Sequence, residues 1–162
     1  MKVVSRGRAA LLTVIAVAVL VALGVVVGVL ARTHHADDTV EANRDELRAQ
    51  AGRIVADVFS VDTRTWQSDR DRARGLVGPE FTESYGAQLN RAPTEPVVSV
   101  VWRPETVGLV RVGEGDGEVL IRVAVTTRTQ AAPDPAPTRQ TVLTHFVKHA
   151  DHWLLDRADI VG

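Results

Sequence analysis

The 22 residues from Ala9 to Leu30 carry no charge and consist of Ala, Val, Leu, Ile and Gly with a single Thr. A helix rises about 1.5 Å per residue, so this segment extends about 33 Å, enough to cross a hydrocarbon core of about 30 Å. One membrane-spanning helix is therefore expected. The alternative is a cleaved signal peptide ending near Val29-Leu30-Ala31, but a secretory apolar region is usually about 7–15 residues long, which favours an uncleaved anchor. Lys2, Arg6 and Arg8 precede the segment with no acid among them, whereas Asp37 and Asp38 follow it. Positively charged flanks stay in the cytoplasm, so the N-terminus is expected inside and residues 31–162 outside the cell membrane. The expected organisation is a basic tail over 1–8, a membrane helix over 9–30, a helical stalk over 31–50 and an extracytoplasmic domain over 51–162. Gly24 and Gly28 form a small-xxx-small face on which a second helix can pack, a route to self-association alongside the stalk.

Beyond the span about 130 residues remain, which suffices for one domain. Residues 31–162 hold 16 basic and 20 acidic side chains, a net charge of −4 with His neutral. That balance argues against a nucleic-acid partner and against attraction to anionic headgroups. The chain has no Cys, which excludes a disulfide framework, a cysteine nucleophile and thiolate metal sites.

Hydrophobic spacing orders the exposed part. Val40, Leu47, Ala51, Ile54, Val55 and Val58 recur at steps of three, four and seven, predicting a helix from Asp38 or Thr39 to Phe59. Its first half is mostly polar, which suggests a stalk that docks only through its second half. A short helix is expected near Ser68–Leu76. Another is expected from Pro79 or Glu80 to Leu89, with Pro in the first turn and Phe81, Tyr85 and Leu89 on one face. From Pro93 the chain turns to alternating Val- and Thr-rich stretches, predicting strands at Val97–Arg103, Thr106–Val112, Glu118–Arg128, Gln140–Lys148 and Trp153–Ile160. The alternation directs Val98, Val100, Trp102, Ile121, Val123, Val125, Val142 and Phe146 inward. Gly113 to Gly117 and Ala150-Asp151 read as hairpin turns, and the prolines between Gln130 and Thr138 as a loop. Helices first and antiparallel strands second define an α+β domain.

The order of these elements resembles the Mce-associated membrane proteins of actinobacteria. The residues that carry the likeness are Ala49-Gln50-Ala51-Gly52, Val61 to Trp66, Gly78 to Tyr85, Val97 to Trp102 and His149 to Asp156. Trp66 stands where an aromatic such as Tyr is usual in that family, and the last turn, Ala150-Asp151-His152, lacks its customary Gly. The resemblance implies an NTF2-like cone, with about three helices packed into a bent antiparallel sheet. It also implies a non-enzymatic accessory role in the assembly or stability of an Mce-type lipid (sterol or fatty acid) importer, with Mce or permease subunits and the membrane as partners.

The residues admit other readings of the cone. An isomerase or dehydratase would need an internal base, for which Asp57, Asp62, Tyr85 and His145 are the candidates by residue type. No acid–base pair stands at a spacing that forces two of them together, so no catalytic residue is expected. His145, His149 and His152 suggest a metal, but on a strand four residues separate side chains by roughly 13 Å, so no metal or cofactor is expected. Trp66, Phe81, Tyr85, Trp102 and Trp153 form either core or the lining of an apolar pocket, and a pocket would make the cone a binder of a small apolar ligand. An inner-membrane assembly component of a secretion system is a further alternative.

Overall fold

The computed structural model describes residues 38–162, of which Val40–Gly162 form one compact unit. The span over 9–30, with Gly24 and Gly28, lies outside the described residues. Among those described, no helix is long and apolar enough to cross a membrane. Helix α1 covers residues 38–59 and is followed by β1 (Val61–Asp62), α2 (Trp66–Arg74) and α3 (Pro79–Leu89). Four long strands complete the unit: β2 (Val97–Val112), β3 (Asp116–Thr129), β4 (Thr138–His149) and β5 (His152–Ile160). All five strands form one antiparallel meander in the order β1-β2-β3-β4-β5. The sheet curls around the helices, giving the expected α+β architecture in a form consistent with an NTF2-like cone.

The α1 stripe fills the concave side. Leu47, Ala51, Val55 and Val58 are fully buried, and they join Val119, Ile121, Val123, Val142, Phe146, Trp153 and Leu155 from the sheet in one core. Gly52 lets the helix come close to β2: a Cβ there would stand only 3.2 Å from the Pro104 Cβ. Docking begins earlier than the expected boundary at residue 51. Asn43 and Leu47 are already buried, so the helix is packed through much of the segment expected as a stalk. A polar side chain accounts for the difference. Asn43 Nδ2 donates to the carbonyls of Gly113 (3.0 Å) and Glu114 (2.8 Å) in the β2–β3 turn. Its Oδ1 accepts from Lys148 Nζ at 2.7 Å, and Lys148 also donates to Glu46 at 2.8 Å. Trp153 Nε1 donates to the same Glu46 carboxylate. Residues that read as solvated thus clamp α1 to two hairpins.

Strand β2 is continuous where two strands with a break near Pro104 were expected. The Trp102 N–H donates to Ser60 Oγ, away from β3. Pro104, two residues on, projects its ring nitrogen to the same open edge, where the missing donor breaks no ladder bond. Register shifts at Pro104/Thr106 and Leu109/Arg111 place Val107, Leu109 and Val112 against the core. Val98 and Val100, expected inward, are half-buried outside that core, and Ser99 is the buried residue of this stretch. At the opposite side of the sheet, Leu76–Gly78 runs along β5: Leu155 N–H donates to the Leu76 carbonyl and Gly78 N–H to the Leu155 carbonyl, each at 2.8 Å. Asp156 then accepts the Glu80 N–H at 3.0 Å, capping α3, and a side chain at Gly78 would collide with that carboxylate. The buried Arg70 of α2 donates to the Val58 carbonyl at 2.9 Å and closes the end of α1.

Two predictions follow from this packing. Asn43→Ala should lower stability by about 2 kcal/mol in urea unfolding, because two turn carbonyls and Lys148 lose a buried partner. The Glu46 carboxyl is held below its ordinary value chiefly by the hydrogen bond from Lys148. A depressed folded value means that its contribution is complete above the usual glutamate range and is lost as the pH falls through the folded value. The acid limb of the stability profile should therefore be shallower in Glu46→Gln than in the wild type, as read by thermal unfolding at a series of pH values.

The β4–β5 turn supplies a third. Ala150 has φ 52°, a left-handed conformation at the first central position of a two-residue hairpin. Primed hairpin turns place glycine there, since a Cβ costs about 1–2 kcal/mol in this region. Ala150→Gly should raise stability by up to about 1 kcal/mol, measured as a shift of the urea midpoint.

Candidate functional site

Helix α1 stops at residue 59, and the space beyond its last turn is only partly filled. An apolar cleft of about 290 Å³ opens there, lined by Phe59, Phe81, Tyr85, Trp102, Val142, Ala158, Asp159 and Ile160. Each element delivers its side chains by its own period. Phe59 is the last residue of α1, and Phe81 and Tyr85 lie one turn apart on α3. Ala158 and Ile160 alternate along β5, with Ile160 paired to Val142 of β4. Trp102 belongs to β2, three strands from β5, about 14 Å away in a flat sheet. Curling brings their side chains to one cleft.

The aromatic rings form a continuous wall. Phe59 stacks on Trp102 with centroids 4.6 Å apart and planes inclined by 23°. Phe81 meets Phe59 edge-on at 5.8 Å and lies 5.1 Å from Tyr85. Phe81 is buried at the base, whereas Phe59, Tyr85 and Trp102 remain partly accessible. Asp159 is the single ionisable acid in the lining, but its carboxylate belongs to the other face of β5. Ala158 packs inward, so its neighbour projects outward, where Asp159 pairs with Arg157 at 3.5 Å.

The five residues expected as core or pocket divide three ways. Tyr85, Trp102 and Phe81 meet at the cleft. Trp153 is buried at the other end, beneath the α1 clamp. Trp66 starts α2, half-buried and outside the core. Phe59, Val142, Ala158 and Ile160 complete the lining and were absent from the expected pocket. The helical period carries a signal for Phe59, one turn after Val55. Alternation marks Val142 as inward, but no local pattern brings it together with Ala158 and Ile160, because their convergence on the cleft depends on sheet curvature.

The candidate bases lie mostly elsewhere. Asp57 and Asp62 line a polar groove of about 220 Å³ beside Asp69, Arg72 and Arg128. Hydrogen bonds from Arg64 hold the Asp62 carboxyl below its usual range. His145 lies between two carboxylates, with Nε2 3.5 Å from Asp116 and Nδ1 3.8 Å from Asp156. Tyr85 alone of these candidates reaches the cleft. His149 and His152 face one another at the hairpin end, four residues along β4 from His145. Among the described residues, no group of three or more His, Cys, Asp or Glu is arranged to hold a metal.

The fold and cleft define an α+β cone with an aromatic-lined mouth. Comparison with protein-family models and with curated proteins gives no match for this chain.

Proposed function

We propose that this chain is a binding module whose cone mouth takes a small apolar ligand. The observation that carries the reading is the wall of four aromatic side chains, three of them partly accessible, around a cleft of about 290 Å³. That size is at the lower end of the roughly 300–1,000 Å³ typical of ligand pockets, and a predominantly apolar lining with few polar groups is their usual chemistry. In this reading the module binds its ligand without transforming it. The separation of Asp57, Asp62 and His145 from the cleft supports that view. The anchor over 9–30 would hold the module outside the cell membrane, and service to an Mce-type lipid importer remains the biological setting proposed from the family resemblance.

The three tryptophans permit a site-specific test. The full chain is labelled with 5-fluorotryptophan, placed in lipid nanodiscs and titrated with N-phenyl-1-naphthylamine, an uncharged apolar probe. The Trp102 fluorine resonance should shift in a saturable manner while those of Trp66 and Trp153 stay in place. Phe59→Ala should weaken the binding about tenfold, about 1.4 kcal/mol, by removing one aromatic wall of the cleft. A Trp102 resonance that does not respond to the probe would refute the proposal.

A further inference from the structure

Resting on the ligand-binding reading, the lining also points to a class of ligand. We propose that the cleft selects an uncharged, planar, ring-containing molecule with one hydroxyl or carbonyl group, in preference to a carboxylate or a flexible acyl chain.

Three observations carry the inference. First, no cationic side chain lines the cleft, and its one acid, Asp159, is turned outward and paired with Arg157. A carboxylate entering the aromatic wall would lose its water without gaining a partner. A cation would likewise find the Asp159 carboxylate directed elsewhere. Second, apart from Asp159 the side-chain hydrogen-bonding groups of the lining are the Trp102 indole N–H, which can only donate, and the Tyr85 hydroxyl, which can both donate and accept. The Tyr85 hydroxyl makes no hydrogen bond to any described residue. A free phenol can donate to a carbonyl or exchange a hydrogen bond with a hydroxyl, which supplies one polar anchor point. Third, the wall is built for flat surfaces. Phe59 and Trp102 are nearly parallel, and Phe81 stands at 71° to Phe59, so a ring ligand can meet both a face and an edge. The volume of about 290 Å³ has room for a compact two-ring molecule.

The test uses the same fluorotryptophan-labelled full chain in nanodiscs with four probes at neutral pH: naphthalene, 2-naphthol, 2-naphthoate and decanoate. The Trp102 resonance should report 2-naphthol as the tightest, by at least tenfold over 2-naphthoate and decanoate. Tyr85→Phe keeps the ring and removes the hydroxyl. It should weaken 2-naphthol about fivefold, leave naphthalene unchanged and leave the Trp66 and Trp153 resonances in place, which confirms an intact fold. Equal or tighter binding of 2-naphthoate or decanoate overturns the selectivity, as does a Tyr85→Phe variant that binds 2-naphthol as well as the parent. If naphthalene binds while no preference appears, the ligand-class inference fails and the binding cleft stands. If none of the probes moves Trp102, both fail together.

Discussion

Burial of the α1 stripe against the inside of the sheet governs the rest of the molecule. A helix is about 10 Å across, and a sheet that covers one on its concave side must bend to keep contact along several strands. Leu47, Ala51, Val55 and Val58 supply that contact with no exposed area, and the facing Val119, Ile121, Val123 and Val142 are equally enclosed. The length of the helix then decides where the cone is full and where it is open. Trp153 and Phe146 close one end, and the end of the helix at Phe59 leaves the other to rings that are only partly covered. The cleft is thus the consequence of a helix that stops short of the sheet it fills.

Apolar packing alone would let such a helix slide along its groove or rotate within it. The buried Asn43 makes those displacements costly, because its amide is matched to two turn carbonyls and to Lys148, and a shift of one residue would leave all three unpaired. Arg70 acts in the same way at the other end, where its guanidinium meets the Val58 carbonyl. Polar groups at both ends fix the position of the helix, and the aromatic mouth inherits that precision through Phe59.

Much of the fold was legible in the sequence because its elements follow simple periods. The spacing from Leu47 to Val58 identified the buried face of α1, and Pro79 with Phe81, Tyr85 and Leu89 identified α3 to within one residue at its start. Errors arose where a residue acts through a distant partner. Asn43 reads as solvated until the β2–β3 turn is brought to it, and Pro104 reads as a strand break until its ring nitrogen is seen to face an open edge. Val98 and Val100 were assigned to the wrong environment because alternation is reliable only in an unbroken strand, and β2 is irregular. The site was legible in part. Phe81, Tyr85 and Trp102 are conspicuous as aromatics, but their meeting with Ile160 is a property of sheet curvature, which no local pattern encodes.

The treatment of the sheet's two margins has a consequence for what a foreign strand meets there. An antiparallel meander presents unpaired backbone groups along both margins, and such margins recruit foreign strands. Here the margin at β5 is partly occupied by the chain's own Leu76–Gly78; on the other side the two-residue β1 covers only Ser99 and Val100, and the rest of the β2 margin carries a proline and register shifts at Pro104/Thr106 and Leu109/Arg111 that spoil a straight template. A stray strand would find a donor missing at Pro104 and shifted registers beyond it. The backbone at both margins thereby offers a foreign strand only short, interrupted stretches to pair with.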